Sequence, residues 1–128
     1  MRINMSRRLG FTLVEIMIVV AIIGLLAAIA IPNFVRARTT AQMNACINNL
    51  RQIDGAIQQF ALENHAAAAT KVALTDIQPY LGRGNGGSVG NLYCPSDTSS
   101  TFATSYTIVD VATAPVCQIL GGTTHKLP

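Results

Sequence analysis

A single carboxylate, Glu15, lies inside a long apolar stretch near the start of the chain. The stretch runs from Phe11 to Ile31 and contains no Lys, Arg, Asp, Asn or Gln. An ionised side chain costs about 2.5–3.5 kcal/mol at mid-bilayer on insertion scales, and less near a helix end. Glu15 is therefore expected to have a partner of opposite charge. The alternative is a side chain that reaches the membrane interface.

Cysteine and histidine are the other residue types that could carry chemistry here. The chain has three cysteines, Cys46, Cys94 and Cys117, and two histidines, His65 and His125. No nucleophile elbow or oxyanion loop accompanies them, so the chain is expected not to be an enzyme. No CxxC or CxxH pair exists to begin a zinc site, and the carboxylates are too scattered for calcium; neither a metal nor another cofactor is predicted. His125 is expected at the surface or at a cap.

The charges are distributed unevenly around the apolar stretch. Three of the nine Lys and Arg residues precede it, and the other six are balanced by six Asp and Glu. About 20 apolar residues span hydrocarbon as a helix, and basic flanks stay cytoplasmic. The sequence thus predicts one membrane span with the rest of the chain exported. A cleaved secretory signal peptide is the alternative, since residues 28–30 form an A-x-A pattern.

The helical pattern continues beyond the apolar stretch to about Asn64. Pro32 lacks an amide donor, so a bend or local loosening is expected between Gly24 and Pro32. Beyond it, apolar residues recur at steps of three and four, which predicts an amphipathic helix. Its apolar face consists of Met43, Ile47, Leu50, Ile53, Ile57 and Phe60.

The remaining residues predict a small head. A short helix is expected over residues 76–81 with Thr75 as its N-cap, and residues 105–111 and 115–120 predict an antiparallel hairpin. Cys94 and Cys117 flank this hairpin and are the favoured disulfide pair, although three cysteines allow three pairings.

The fold class is therefore α+β, a lollipop with a long helix and a small antiparallel head. The 128 residues, half of them hydrophobic and only 12% charged, allow one small core. The predicted segments are 11–32 for the membrane half of the helix, 33–65 for its amphipathic half and 66–128 for the head.

The stretch RRLGFTLVEIMIVVAIIGLLAAIAIPNF, residues 7–34, resembles the leader and N-terminal helix of type IV pilins and type II secretion pseudopilins. In that family a prepilin peptidase cuts between Gly and Phe and methylates the new N-terminus. The resemblance implies cleavage between Gly10 and Phe11, which makes residues 1–10 a leader peptide. It also implies that Glu15 neutralises the terminal amine of an adjacent subunit, and that the segment Gly24–Pro32 is partly unwound in filaments.

The resemblance further implies partners and a location. These are a homo-oligomeric filament, the prepilin peptidase, an assembly ATPase, a platform protein and the bacterial inner membrane, with the head outside the cytoplasm. The charge-balanced exported part has no basic stripe, so nucleic acid is expected to bind only to an assembled filament. The alternative function is a monomeric, membrane-anchored binding module whose head captures a ligand.

Overall fold

A computed structural model of the chain describes residues 10–82, 89, 92–119 and 125–128. The predicted leader, except for Gly10, lies outside the described residues. Two compact units can be distinguished, one ending at Ala37 and the other comprising Arg38–Pro128. A long N-terminal helix and a small antiparallel sheet are present, which confirms the predicted α+β, pilin-like fold.

The first helix, α1, extends from Leu13 to Glu63. Thr12 precedes it in the N-cap position, where its Oγ1 accepts a hydrogen bond from the Glu15 amide at 3.2 Å. The part of α1 that belongs to the first unit consists largely of exposed Leu, Ile and Val. An 18-residue window of α1 has a mean hydropathy of 2.9 and no buried residue, so α1 is long and apolar enough to cross a membrane.

The part of α1 that belongs to the Arg38–Pro128 unit supplies much of the core. Leu50, Ile53 and Ile57 from the predicted apolar face are fully buried, and Cys46 and Ala56 are buried with them. The other predicted positions, Met43, Ile47 and Phe60, are half-buried. The buried positions recur at three and four residues, as expected for one face of a helix.

A short helical segment follows α1. It begins two residues earlier and ends one residue earlier than predicted. Helix α2 comprises Leu74–Ile77 and leads into a 3₁₀ turn at Gln78–Tyr80. The prediction that Thr75 is the N-cap is wrong, because the extended backbone ends at Ala73. The Asp76 carboxylate accepts a hydrogen bond from the Ala73 amide at 2.9 Å, which fixes the start of α2 there.

The sheet is shorter than the predicted hairpin. Helix α3, Phe102–Ser105, leads directly into β1, Tyr106–Thr107, which pairs antiparallel with β2, Val116–Cys117. The residues after β1 turn to another partner, since the Val72 amide donates to the Val109 carbonyl at 3.3 Å. An antiparallel bridge between Lys71 and Asp110 continues this pairing. The end of the predicted strand 105–111 therefore pairs with the segment after α1.

Candidate functional site

The sequence-predicted processing residues lie at the start of α1. Gly10 and Phe11 precede the helix, and Phe11 is 82% exposed. A Cβ atom at Gly10 would meet no atom within 4 Å, so the space around Gly10 accepts other residues. The local fold thus presents the Gly10–Phe11 bond at the surface.

Glu15 is exposed on an apolar helix that offers it no cation. The sequence contains no Lys or Arg between Phe11 and Val35, so the first basic residue on α1 is Arg36. At about 1.5 Å per residue, Arg36 lies about 30 Å further along the helix, beyond reach of the Glu15 carboxylate. Within the apolar part of α1, Glu15 therefore has no basic side chain within reach.

Gly24 and Pro32 both lie within α1, and the helix continues through them. Because Pro32 has no N–H, it cannot donate to the Ala28 carbonyl, and one bond of the helical ladder is missing. A Cβ atom at Gly24 would meet no atom within 4 Å. The bend at these residues stays a prediction.

The three cysteines are free thiols in the structure, which therefore contains no Cys94–Cys117 disulfide. Instead, the sulfur atoms of Cys94 and Cys117 both lie next to Nδ1 of His125. The prediction that His125 is a surface or cap residue is wrong, because only 2% of it is exposed. Sequence reasoning missed this cluster, since neither the spacing of the cysteines nor the position of His125 indicates it.

Burial controls the acidity of these thiols. Desolvation, together with the neighbouring Cys117 and Cys94 thiols, raises the pKa of the Cys46 thiol. Desolvation also raises the pKa of the Cys117 thiol. Both groups are therefore protonated at neutral pH unless a cation binds them.

Comparisons with known proteins find one family model and several relatives that match part of the chain. The model of the family described as the prokaryotic N-terminal methylation motif matches residues 5–31. The chain is 49% identical over 57 residues to the type IV major pilin protein PilA of Myxococcus xanthus, covering 44% of this chain and 26% of that protein. It is 34% identical over 70 residues to the type II secretion system core protein G of Klebsiella pneumoniae, covering 55% of this chain and 50% of that protein.

A third relative also matches only part of the chain. The chain is 40% identical over 70 residues to the type IV major fimbrial protein FimA of Dichelobacter nodosus, covering 55% of this chain and 45% of that protein. No solved structure matches the chain. The chain thus spans between about a quarter and a half of the length of these relatives.

These matches and the α+β fold support the resemblance of the chain to the family of type IV pilins and type II secretion pseudopilins. Members of this family are structural subunits and not enzymes, which agrees with the expectation that the chain is not an enzyme.

Proposed function

We propose that the chain is a structural subunit of a filament, either a type IV pilus or a type II secretion pseudopilus. The observation that carries this proposal is an exposed apolar helix whose only ionisable side chain before Arg36 is Glu15, preceded by the Gly10–Phe11 junction. The match of the methylation motif to residues 5–31 supports processing at this junction. Relatives named as pilins and as a secretion-system core protein support both kinds of filament.

In this proposal the prepilin peptidase cuts after Gly10 and methylates the new amino group on Phe11. That amine is the cation that Glu15 requires, and it is supplied by a neighbouring subunit. Removing one partner of a buried ion pair typically costs about 3–5 kcal/mol. An axial offset that leaves Glu15 unpaired is therefore strongly disfavoured, and the pair determines the register of subunits in the filament.

Before assembly, the apolar half of α1 anchors the chain in the inner membrane with its head outside the cytoplasm. The arginines before the apolar stretch support this orientation. An assembly ATPase and a platform protein are the proposed machinery, by likeness to the family. Any contact with nucleic acid is assigned to the assembled filament, because the isolated head is balanced in charge.

Processing is tested by co-expressing the full chain with a prepilin peptidase and measuring the mass of the product. The expected product begins at Phe11 and carries one added methyl group. Gly10→Val should retain the leader, because the branched side chain blocks the scissile position. A wild-type product that still begins at Met1 and is functional as a monomer would support the monomeric binding module instead.

Assembly is tested with Glu15→Gln, which removes the charge and keeps the shape of the side chain. This variant should be cleaved normally but form filaments at a level reduced by about tenfold or more, as loss of a buried ion pair requires. Glu63→Gln is the matched control, since it makes the same change on α1 outside the apolar stretch. Normal filaments from Glu15→Gln in electron micrographs would refute the pairing.

A further inference from the structure

Four buried side chains with metal-binding atoms meet inside the Arg38–Pro128 unit. They are Cys46 on α1, Cys94 in the segment before α3, Cys117 on β2 and His125. Their three sulfur atoms and the imidazole nitrogen all lie within 4.8 Å of one another. The cysteines are 0% exposed and His125 is 2% exposed. Four sulfur and nitrogen donors shielded from water are the arrangement of a structural zinc centre.

The separations between these atoms fit one tetrahedral ion. Zn–S bonds of about 2.3 Å and Zn–N bonds of about 2.0–2.1 Å place two sulfurs about 3.8 Å apart, and a sulfur and a nitrogen about 3.6 Å apart. Nδ1 of His125 lies 3.4 Å from Sγ of Cys94 and 3.9 Å from Sγ of Cys117. The ion therefore needs only small side-chain adjustments.

We propose that Cys46, Cys94, Cys117 and His125 bind one Zn²⁺ ion. The three thiols each release a proton to solvent and bind as thiolates, and Nδ1 of the neutral imidazole donates its lone pair while Nε2 keeps its proton. All four positions around the ion are filled by protein atoms, which leaves no site for a substrate or water. The centre is structural and stabilises the fold of the unit.

Neither a disulfide nor apolar packing accounts for all four of these side chains. A disulfide joins two of the three sulfurs at about 2.0 Å and leaves one thiol and the buried imidazole with no common partner. Packing of cysteines as small apolar residues accounts for three buried sulfurs but not for a buried histidine next to two of them. A zinc ion satisfies all four donors at once.

The segments that carry the cysteines are held in place by hydrogen bonds. The Cys94 amide donates to Oγ of Ser105 at 2.9 Å, and that hydroxyl donates to the Asp97 carboxylate at 2.7 Å. The amide of Gln118, next to Cys117, donates to the Ser105 carbonyl at 2.8 Å. Helix α3 thus anchors two ligand-bearing segments. Hydrogen bonds that hold the ligand residues in place orient the ligands of metal sites.

A zinc ion would join four separate segments of a unit whose described helices and strands, apart from α1, are short. The two strands contain two residues each, and helices α2 and α3 contain four residues each. The binding free energy of a structural metal ion adds to the folding free energy of the domain that holds it. The zinc centre therefore stabilises the arrangement of these short elements.

The first test measures metal in the full chain, purified in detergent from cells grown with zinc. Elemental analysis should find about one zinc per chain, and Co²⁺ in its place should give the intense visible bands of tetrahedral thiolate coordination. A chain that holds less than about 0.1 zinc, and takes up neither Zn²⁺ nor Co²⁺ after reduction, overturns the proposal.

The second test counts reactive thiols after the chain is denatured in the presence of a chelator. The zinc centre predicts three reactive thiols per chain, since all three cysteines are then reduced. A count of one thiol would show that two cysteines are joined in a disulfide, and would overturn the proposal.

The third test uses variants. Cys46→Ser and His125→Ala should lose most of the zinc, while His125→Cys should retain it because four thiolates also bind zinc tetrahedrally. His65→Ala is the matched control, since His65 is exposed and lies outside the cluster. Zinc retained at the wild-type level by both Cys46→Ser and His125→Ala would overturn the assignment of the ligands.

A wild-type measurement covers the case in which a variant does not fold. Removing zinc from the wild-type chain with a chelator should lower the Tm of the head by roughly 10 °C or more, and adding zinc should restore it. A Tm that is unchanged after complete removal of zinc would overturn the structural role.

Discussion

Replacing Leu50 by alanine tests whether the buried face of α1 holds the Arg38–Pro128 unit together. Leu50 is 0% exposed and belongs to the same core as Ile77 and Phe102. Truncating a buried leucine removes apolar contacts and leaves a cavity, at a cost of about 2–5 kcal/mol. In a unit of this size each kcal/mol lowers the Tm by roughly 4–8 °C. A cost of about 3 kcal/mol therefore corresponds to a Tm lower by roughly 12–24 °C.

Leu62→Ala is the matched control, because it makes the same change on the same helix at a residue that is 76% exposed. Its effect should be within about 0.5 kcal/mol. Thermal unfolding of the full chain in detergent can be followed by near-ultraviolet circular dichroism of the three tyrosines, all of which lie after Arg38. The apolar half of α1 then contributes no tyrosine signal. An equal loss of Tm for Leu50→Ala and Leu62→Ala would refute the assignment of the buried face.

Two further predictions concern the same unit. Gly55→Ala should stabilise it by about 0.8–1.0 kcal/mol, because Gly55 is exposed on α1 and an added Cβ meets no atom within 4 Å; a lower Tm would contradict this. Hydrogen bonds from Thr104, Ser105 and Ser99 hold the pKa of Asp97 below its usual value. The ionised carboxylate therefore stabilises the folded unit fully above about pH 4, and this stabilisation is lost as pH falls through the lowered pKa. Asp97→Asn should lower the Tm at neutral pH and weaken its fall in acid, and an unchanged acid profile would count against this role.

The course of α1 could be predicted because helical periodicity is a local property of the sequence. Leu50, Ile53 and Ile57 recur at the spacing of one helix face, and the structure buries all three. The start of α2 is predicted less accurately than the course of α1. Thr75 is a better cap by residue type than Ala73, but the Asp76 carboxylate binds the Ala73 amide and moves the boundary.

The hairpin and the cysteine cluster depend on contacts between distant segments. The residues from Val109 to Val111 suit a strand, yet sequence alone does not indicate that they pair with Thr70 and Val72 and not with the residues before β2. Cys46 and His125 likewise come together only through the tertiary fold. A search for CxxC pairs finds metal sites built on one short loop, and it misses sites whose ligands lie on four segments.

The burial of Cys46, Leu50, Ile53, Ala56 and Ile57 has a practical consequence for protein engineering. These five residues of α1 form part of the interior of the Arg38–Pro128 unit, so the residues after Glu63 have no complete interior of their own. A chimera that exchanges heads between two such chains must therefore be joined upstream of Arg38. A graft made after His65 would transfer part of the core without the helix residues that complete it.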